Sequence, residues 1–242
     1  MPTRPILSVE SVSARGITSI DFSVHAGQCV GLIGCNGSGK TSVLHAVSGL
    51  LPLDKGCVFY GQSKISDLSH KERAAYRFLV MQDHSIYHEL TVKEYLMLAS
   101  FFDQSWFQQF SGKIKNDLLE QFELDTFLNR SCASLSLGEK QRTMLCQAFV
   151  SKRSLVLLDE PTNALDVRQT RRFGHFLNAD RRENNTAIVL VSHDMHFVQN
   201  VCDVVLVLDR GVMIACGTPQ EILAMPLVQN TLEIWVTSDS SN

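Results

Sequence analysis

The sequence predicts an α/β protein with a mostly parallel sheet, an antiparallel β subdomain at the N-terminus and an inserted helical subdomain. Three observations predict it. The apolar runs "SLVLLDE", "TAIVLVSHD" and "DVVLVLDRG" are interleaved with helical segments, and strands separated by helices form a parallel sheet covered on both faces. The N-terminal runs "ILSVESV" and "IDFSVHAGQCVGLIG" alternate like strands, with "HAG" as a turn. From about Ser66 to about Val150 the apolar residues fall three and four apart, as in "TVKEYLMLASFF" and "IKNDLLEQFELDTFL", which is helical spacing.

The remaining elements follow in order. "GKTSVLHAVSGL" reads as a helix opened by glycines, and "GCVFYGQSKI" returns to strand and turn. Near the end, "GTPQEIL" starts a helix: Thr218 as N-cap, Pro219 at the first position and Glu221 closing a capping box. The helical stretch is inserted into the α/β core, which gives one domain over 1–242. Residues 1–82 and 151–242 form the core with its β subdomain, and 83–150 form the helical subdomain.

Composition narrows the function. Hydrophobic residues make up 45% of the 242 residues, enough for a sizeable core and too many for disorder. A net charge of −3 with no long basic run gives no reason to expect nucleic acid as a partner. No stretch approaches the roughly 20 apolar residues of a membrane span. The N-terminus lacks the apolar core of a signal peptide. Seven scattered cysteines without metal-ligand spacing fit a reducing cytosol better than a disulfide framework.

"GCNGSGKT", residues 34–41, is a complete phosphate-loop pattern between an apolar strand and a helix. Its glycines let backbone N–H groups turn toward phosphate oxygens, and the helix N-terminus adds positive partial charge. Lys40 can reach the β and γ phosphates, and Thr41 can ligate Mg²⁺. "LVLLDEP" ends a buried strand in two carboxylates. Asp159 there reaches the Mg²⁺ shell, and Glu160 at the strand mouth can polarise the attacking water. Without the phosphate loop, the same pair reads as a solvated loop start.

With three further motifs, Gln82 in "VMQDH", "LSLGEKQR" at 135–142 and His193 in "VLVSHD", plus "NALD" after "LVLLDEP", the chain resembles the ATP-binding subunit of ABC transporters. The resemblance covers nearly the whole length and implies a phosphate-loop NTPase core. It implies ATP as substrate, Mg²⁺ as cofactor and ATPase activity. The catalytic residues would be Glu160, His193 and Lys40. ATP would contact Gly34, Cys35, Asn36, Gly37, Ser38, Gly39, Lys40, Thr41, Ser42, Gln82, Ser136 and Gly138. Thr41, Gln82 and Asp159 would hold the metal. Ser136 and the N–H of Gly138 would act on ATP held by a second copy or a paralogous cassette, while Ser136 is also a good N-cap for the helix it starts. Asp166 would bridge subunits or cap its own helix.

The sequence departs from the family pattern in several places. Leu137 stands where a second glycine is usual, and Glu139 where glutamine is usual. Cys35 replaces a proline, and a thiol at a helix N-terminus is a candidate for reactivity, although the plainer reading is a tolerated loop residue. "VESVSARGITSI" offers no aromatic residue for adenine. Arg15 can stack through its guanidinium plane, or it is simply an exposed arginine.

One cassette and no span imply a separate subunit on the cytoplasmic face of the inner or plasma membrane. It would dock on transmembrane permease subunits and serve a substrate-binding protein indirectly. "ISDLSHKERAAYRFLVMQDH…TVKEYLML" and the tail "GTPQEILAMPLVQNTLEIWV" are similar to importers of iron-siderophores, haem and vitamin B12. Two rival classes exist. A soluble cassette ATPase acting on ribosomes or DNA usually carries two cassettes or a long coiled coil. A non-hydrolysing regulatory cassette is disfavoured by intact Lys40, Asp159, Glu160 and His193.

Overall fold

The computed structural model describes residues 4–82, 89–99 and 113–229. Among the described residues ten strands form two sheets. β1 (Leu7–Ala14), β2 (Ile17–Val24), β4 (Lys55–Tyr60) and β5 (Ser63–Lys64) make an antiparallel sheet in the order β2-β1-β4-β5. β3 (Cys29–Gly34), β6 (Arg77–Val80), β7 (Leu155–Asp159), β8 (Ala187–Val191), β9 (Val204–Asp209) and β10 (Val212–Gly217) make the main sheet. Its order is β10-β9-β3-β8-β7-β6, parallel except for β10. The helices are α1 (Lys40–Ser48), α2 (His70–Tyr76), α3 (Val92–Met97), α4 (Lys113–Gln121), α5 (Leu137–Val150), α6 (Val167–Asn184), α7 (Met195–Val201) and α8 (Pro219–Ala224). Among the described residues no helix is long and apolar enough to cross a membrane.

The continuous apolar runs follow from burial on both faces. Every residue of β3, β7 and β8 is buried. Successive side chains point to opposite faces. Cys29, Ile33, Val156, Leu158, Ile188 and Leu190 pack with α3, α5, α6 and α7. Val30, Leu32, Leu155, Leu157, Val189 and Val191 pack with α1 and the antiparallel sheet. Each such side chain contributes about 1.5–3 kcal/mol on burial. Tyr60 ties the antiparallel sheet to α1: its hydroxyl donates to the Val47 carbonyl at 2.7 Å, and burial pushes its phenol up to about 12.

Two elements differ from the sequence reading. Residues 77–80, "RFLV", form β6 inside the stretch read as helical, pairing in parallel with β7. Four residues following α2 without a break carry too short a pattern to reveal a strand whose partner lies far along the chain. The helix predicted through "IKNDLLEQFELDTFL" stops at Gln121. Glu123 takes φ +54°, and N–H groups of Glu123 and Leu124 donate to Glu120 and Leu119 carbonyls, a Schellman closure. Glycine normally fills that left-handed position. Here Arg172 and Arg168 hold the Glu123 carboxylate at 3.2 and 3.5 Å. The predicted cap of the last helix stands as read, with Thr218 accepting from the Glu221 N–H and Pro219 at the first position. The end of "TVKEYLMLASFF", Asp83 and His84 of "VMQDH", and "NTLEIWV" lie outside the described residues.

Candidate active site

At one end of the main sheet, β3, β7 and β8 finish side by side. The register sets Asp159 beside Val191 and Leu32 beside Val191 from the other flank. The residues that follow each strand therefore open on one cleft of about 230 Å³. Its walls carry Asn36, Gly37, Gly39, Lys40, Thr41, Ser42, Gln82, Asp159, Glu160 and His193. Residues from four separate motifs, spread over 158 positions from Asn36 to His193 (193 − 36 + 1), thus share one space.

The loop between β3 and α1 is shaped by its glycines. Gly34 has φ +144°, and a Cβ there would lie 2.1 Å from the Leu208 carbonyl oxygen on β9. Gly39, at φ +103°, caps α1 without any side chain. The contrast with the other helices is informative. α2, α3, α5, α6 and α8 each have a capping box, and α7 is capped by Asp194. Among the α-helices whose N-cap residue is described, only α1 has neither a side-chain cap nor an acidic residue in its first turn. Its N–H groups and the positive end of its dipole face the cleft unneutralised, which suits an anion.

Lys40 is buried, and its Nζ donates to the Gly34 and Cys35 carbonyls at 2.8 and 2.9 Å. Burial lowers its pKa, and the nearby Glu160 and Asp159 carboxylates oppose that. Asp159 is only 3% exposed; burial raises its pKa against a hydrogen bond from Thr41. Asp159 Oδ1 is buried without a hydrogen-bond partner, an acceptor whose chemistry fits a hard cation. Thr41, Asp159 and Gln82 on the same cleft offer hydroxyl, carboxylate and amide oxygens, a donor set that fits Mg²⁺. No cage of three His, Cys, Asp or Glu side chains occurs among the described residues. Such an ion would complete its shell with water and phosphate.

Glu160 sits at φ +49°, a conformation costing a non-glycine residue roughly 1–2 kcal/mol. Its N–H donates to the Val191 carbonyl at 3.0 Å, which holds the turn. The side chain is 4% exposed and gripped twice by His193: Nε2 lies 2.6 Å from Oε1, and the backbone N–H donates to Oε2 at 3.3 Å. The carboxylate therefore has one fixed orientation at the cleft.

The model of the ABC transporter family matches residues 17–163. The chain belongs to this family. It is 31% identical over 202 residues to the uncharacterized ABC transporter ATP-binding protein YvrA of Bacillus subtilis strain 168. That match takes in 82% of this chain and 46% of YvrA, so the chain spans about half the length of that relative. Solved structures share the fold. An ATP-binding subunit of an ABC transporter has a TM-score of 0.83 at 24% identity, over 96% of this chain and 98% of its own. The dimeric post-hydrolysis cassette MJ0796 bound to ADP and Pi has 0.76 at 20%, over 88% and 98%. cbiO1 of Clostridium perfringens, part of the transporter complex cbiONQ, has 0.74 at 22%, over 96% and 95%.

In this cassette the segment "LSLGE" lies apart from the cleft, and Ser136 and Gly138 are not among the cleft's walls. Ser136 N-caps α5, accepting from the Glu139 N–H at 3.3 Å, while Glu139 Oε2 accepts from the Ser136 N–H at 2.7 Å. Leu137 is 57% exposed at the first helical position. A Cβ on Gly138 would stand 2.9 Å from the Ala164 carbonyl oxygen, so this glycine is needed for packing within the chain. Asp166 is the N-cap of α6, its Oδ1 accepting from the Gln169 N–H at 2.7 Å.

Cys35 is half-buried, and its carbonyl serves Lys40 and the Ser38 N–H. Ser38 is buried with its hydroxyl unpaired. Arg15 is exposed on the β1–β2 turn, next to Gly16, which lines the cleft. Sequence reasoning passed over Gly16. The signal was a lone glycine between two alternating runs; its carbonyl closely faces Gly39 and Gly211.

Proposed function

We propose that this chain hydrolyses ATP and, by doing so, powers an ABC transporter as its nucleotide-binding subunit. The observation that carries the reading is the cleft: an uncapped helix N-terminus, Lys40, a buried Asp159 with an unpaired oxygen, and Glu160 held by His193 converge there. Bound Mg²⁺ would supply charge neutralisation at the β and γ phosphate oxygens. The loop N–H groups from Gly34 to Ser42 bind the phosphates, with Asn36 and Gly37 at the rim. Lys40 moves from the loop carbonyls to phosphate. Thr41, Asp159 and Gln82 face the metal. Glu160 takes a proton from the attacking water, and His193 orients both the carboxylate and the γ-phosphate. Arg15 packs on the adenine side.

The same reading makes α5 half of a second cleft. Ser136 and Gly138 present a hydroxyl and N–H donors away from their own phosphate loop, so a second copy or paralogous cassette brings them to ATP. The dimeric cassette MJ0796, bound to ADP and Pi, has the same fold and supports this arrangement. Residues 1–82 and 151–242 act as the core, and 83–150 as the helical lobe. The subunit sits peripherally on the cytoplasmic side of its membrane and docks on permease subunits. The cargo class is that of the metal-chelate or cobalamin importers, on the segment resemblances given above. cbiO1, a member of a multi-subunit transporter complex with this fold, is compatible with that assembly.

Complementation tests the reading. Lys40→Ala and Ser136→Arg chains, each inactive alone, are mixed and phosphate release is measured. A shared site predicts recovered hydrolysis, because one cleft of the mixed dimer then holds two intact halves. Independently, Glu160→Gln should shift from monomer to dimer mass on adding ATP, since ligand bound between subunits favours association. A chain that stays monomeric at saturating ATP, with a silent mixture, would remove the shared-site reading.

A further inference from the structure

The half-site on α5 carries a charge that its proposed role makes costly. Glu139 stands one helical turn from Ser136, and its Oε2 already accepts from the Ser136 N–H at 2.7 Å. A triphosphate brought to the Ser136 hydroxyl would meet this carboxylate at short range, and like charges repel. Glutamine at the same position would make the same capping contact without the charge.

Arg130 answers that problem. Its Nη1 lies 3.0 Å from Glu139 Oε1, the oxygen that the Ser136 N–H leaves free. Its Nη2 donates to the Ser134 carbonyl at 2.9 Å, and its guanidinium lies 5.0 Å from the Phe127 ring centroid. The fork is therefore fixed on three sides, and the side chain joins the loop before α5 to the first turn of α5. Burial pushes the Glu139 carboxyl up, but hydrogen bonds from Ser136 and Arg130 outweigh it and hold the group below the usual carboxylate range. The residue is an ionised carboxylate with a matched cation.

We propose that Arg130 is a positioning residue for the ATP half-site on α5, neutralising Glu139 so that Ser136 can receive a triphosphate. The proposal rests on the shared-site reading of the previous subsection. Arg130 touches neither nucleotide nor metal in this scheme. It acts through Glu139, and its importance comes from the carboxylate that this chain has in place of a neutral side chain.

The test uses the full chain with Glu160→Gln, and reads the ATP concentration that gives half-maximal dimer by sedimentation. Adding Arg130→Ala should raise that concentration about tenfold near 0.1 M salt, and the deficit should shrink at about 0.5 M as screening increases. Adding Glu139→Gln to Arg130→Ala should restore association, because the charge that needed a partner is gone. A merely structural role for Arg130, through Ser134 or Phe127, would not be rescued in this way. If the double variant stays as impaired as Arg130→Ala, or if the deficit ignores salt, the proposal is overturned. If circular dichroism shows Arg130→Ala unfolded, Arg130→Gln carries the same comparison. Ser136→Arg separates the two levels. If it abolishes association while Arg130→Ala does not weaken it, the shared site stands and this role for Arg130 falls. If Ser136→Arg leaves association intact, the shared-site reading itself falls, and the proposal with it.

Discussion

Replacing Glu160 by glutamine isolates the carboxylate from everything else in the cleft. The side chain is nearly isosteric, and its carbonyl oxygen can still accept from His193, whose Nε2 now lies 2.6 Å from Oε1. The backbone anchor to the Val191 carbonyl is untouched. The phosphate loop is reached through Gly34 to Ser42, not through Glu160, so ATP binding should persist. What disappears is the base. Positioned general bases contribute about 10² to 10⁴ in rate, which at about 1.4 kcal/mol per decade is about 3 to 5 kcal/mol of barrier. The assay is phosphate release at saturating ATP and Mg²⁺, with nucleotide binding followed separately. His193 sharpens the test. Since it holds both oxygens of Glu160, Glu160→Gln with His193→Ala should lose less than the product of the two single losses, the remainder coming from the γ-phosphate contact. Wild-type turnover in Glu160→Gln would remove Glu160 from the role. Fully multiplicative losses in the double variant would mean that His193 works independently of it.

Two further outcomes are expected. Leu137→Gly should leave hydrolysis unchanged or raise it, because Leu137 is 57% exposed and takes no part in the core; its stability cost, measured by thermal melts, should stay within about 1 kcal/mol for a glycine in a helix. A collapse of activity would mean that Leu137 itself packs against the second copy. Asp159→Asn should abolish Mg²⁺-dependent turnover yet raise the melting temperature of the nucleotide-free chain near neutral pH. Burial raises the folded-state pKa of Asp159 above its unfolded value. Its ionised form therefore costs stability at pH above both values. That cost is relieved as pH falls through the folded pKa, and the Asn advantage should vanish once both states are protonated. An advantage that does not vary with pH would refute the electrostatic origin.

The sequence by itself determined most of the elements and singled out most of the residues that line the cleft. "GCNGSGKT" between strand and helix marked the loop and uncapped helix start that line the cleft, because the pattern is complete within eight residues: glycines for the turn, a lysine, a hydroxyl and a helix start. The caps at Ser136, Asp166 and Thr218 were equally legible, since a cap and its third residue lie within one turn. Tertiary structure decided what local patterns do not encode. β6 is a strand because β7 lies beside it, not because "RFLV" insists on one. Glu123 ends α4 in a glycine-like conformation, with arginines from α6 against its carboxylate, contacts that only the tertiary structure supplies. Gly138 is small because the Ala164 carbonyl comes within 2.9 Å of where a Cβ would be. The pairing of Arg130 with Glu139, nine residues apart across a turn, has no periodic signature at all. Glu160 and His193 meet only because β7 and β8 are parallel neighbours that end at the same level, so the contact is a property of sheet order.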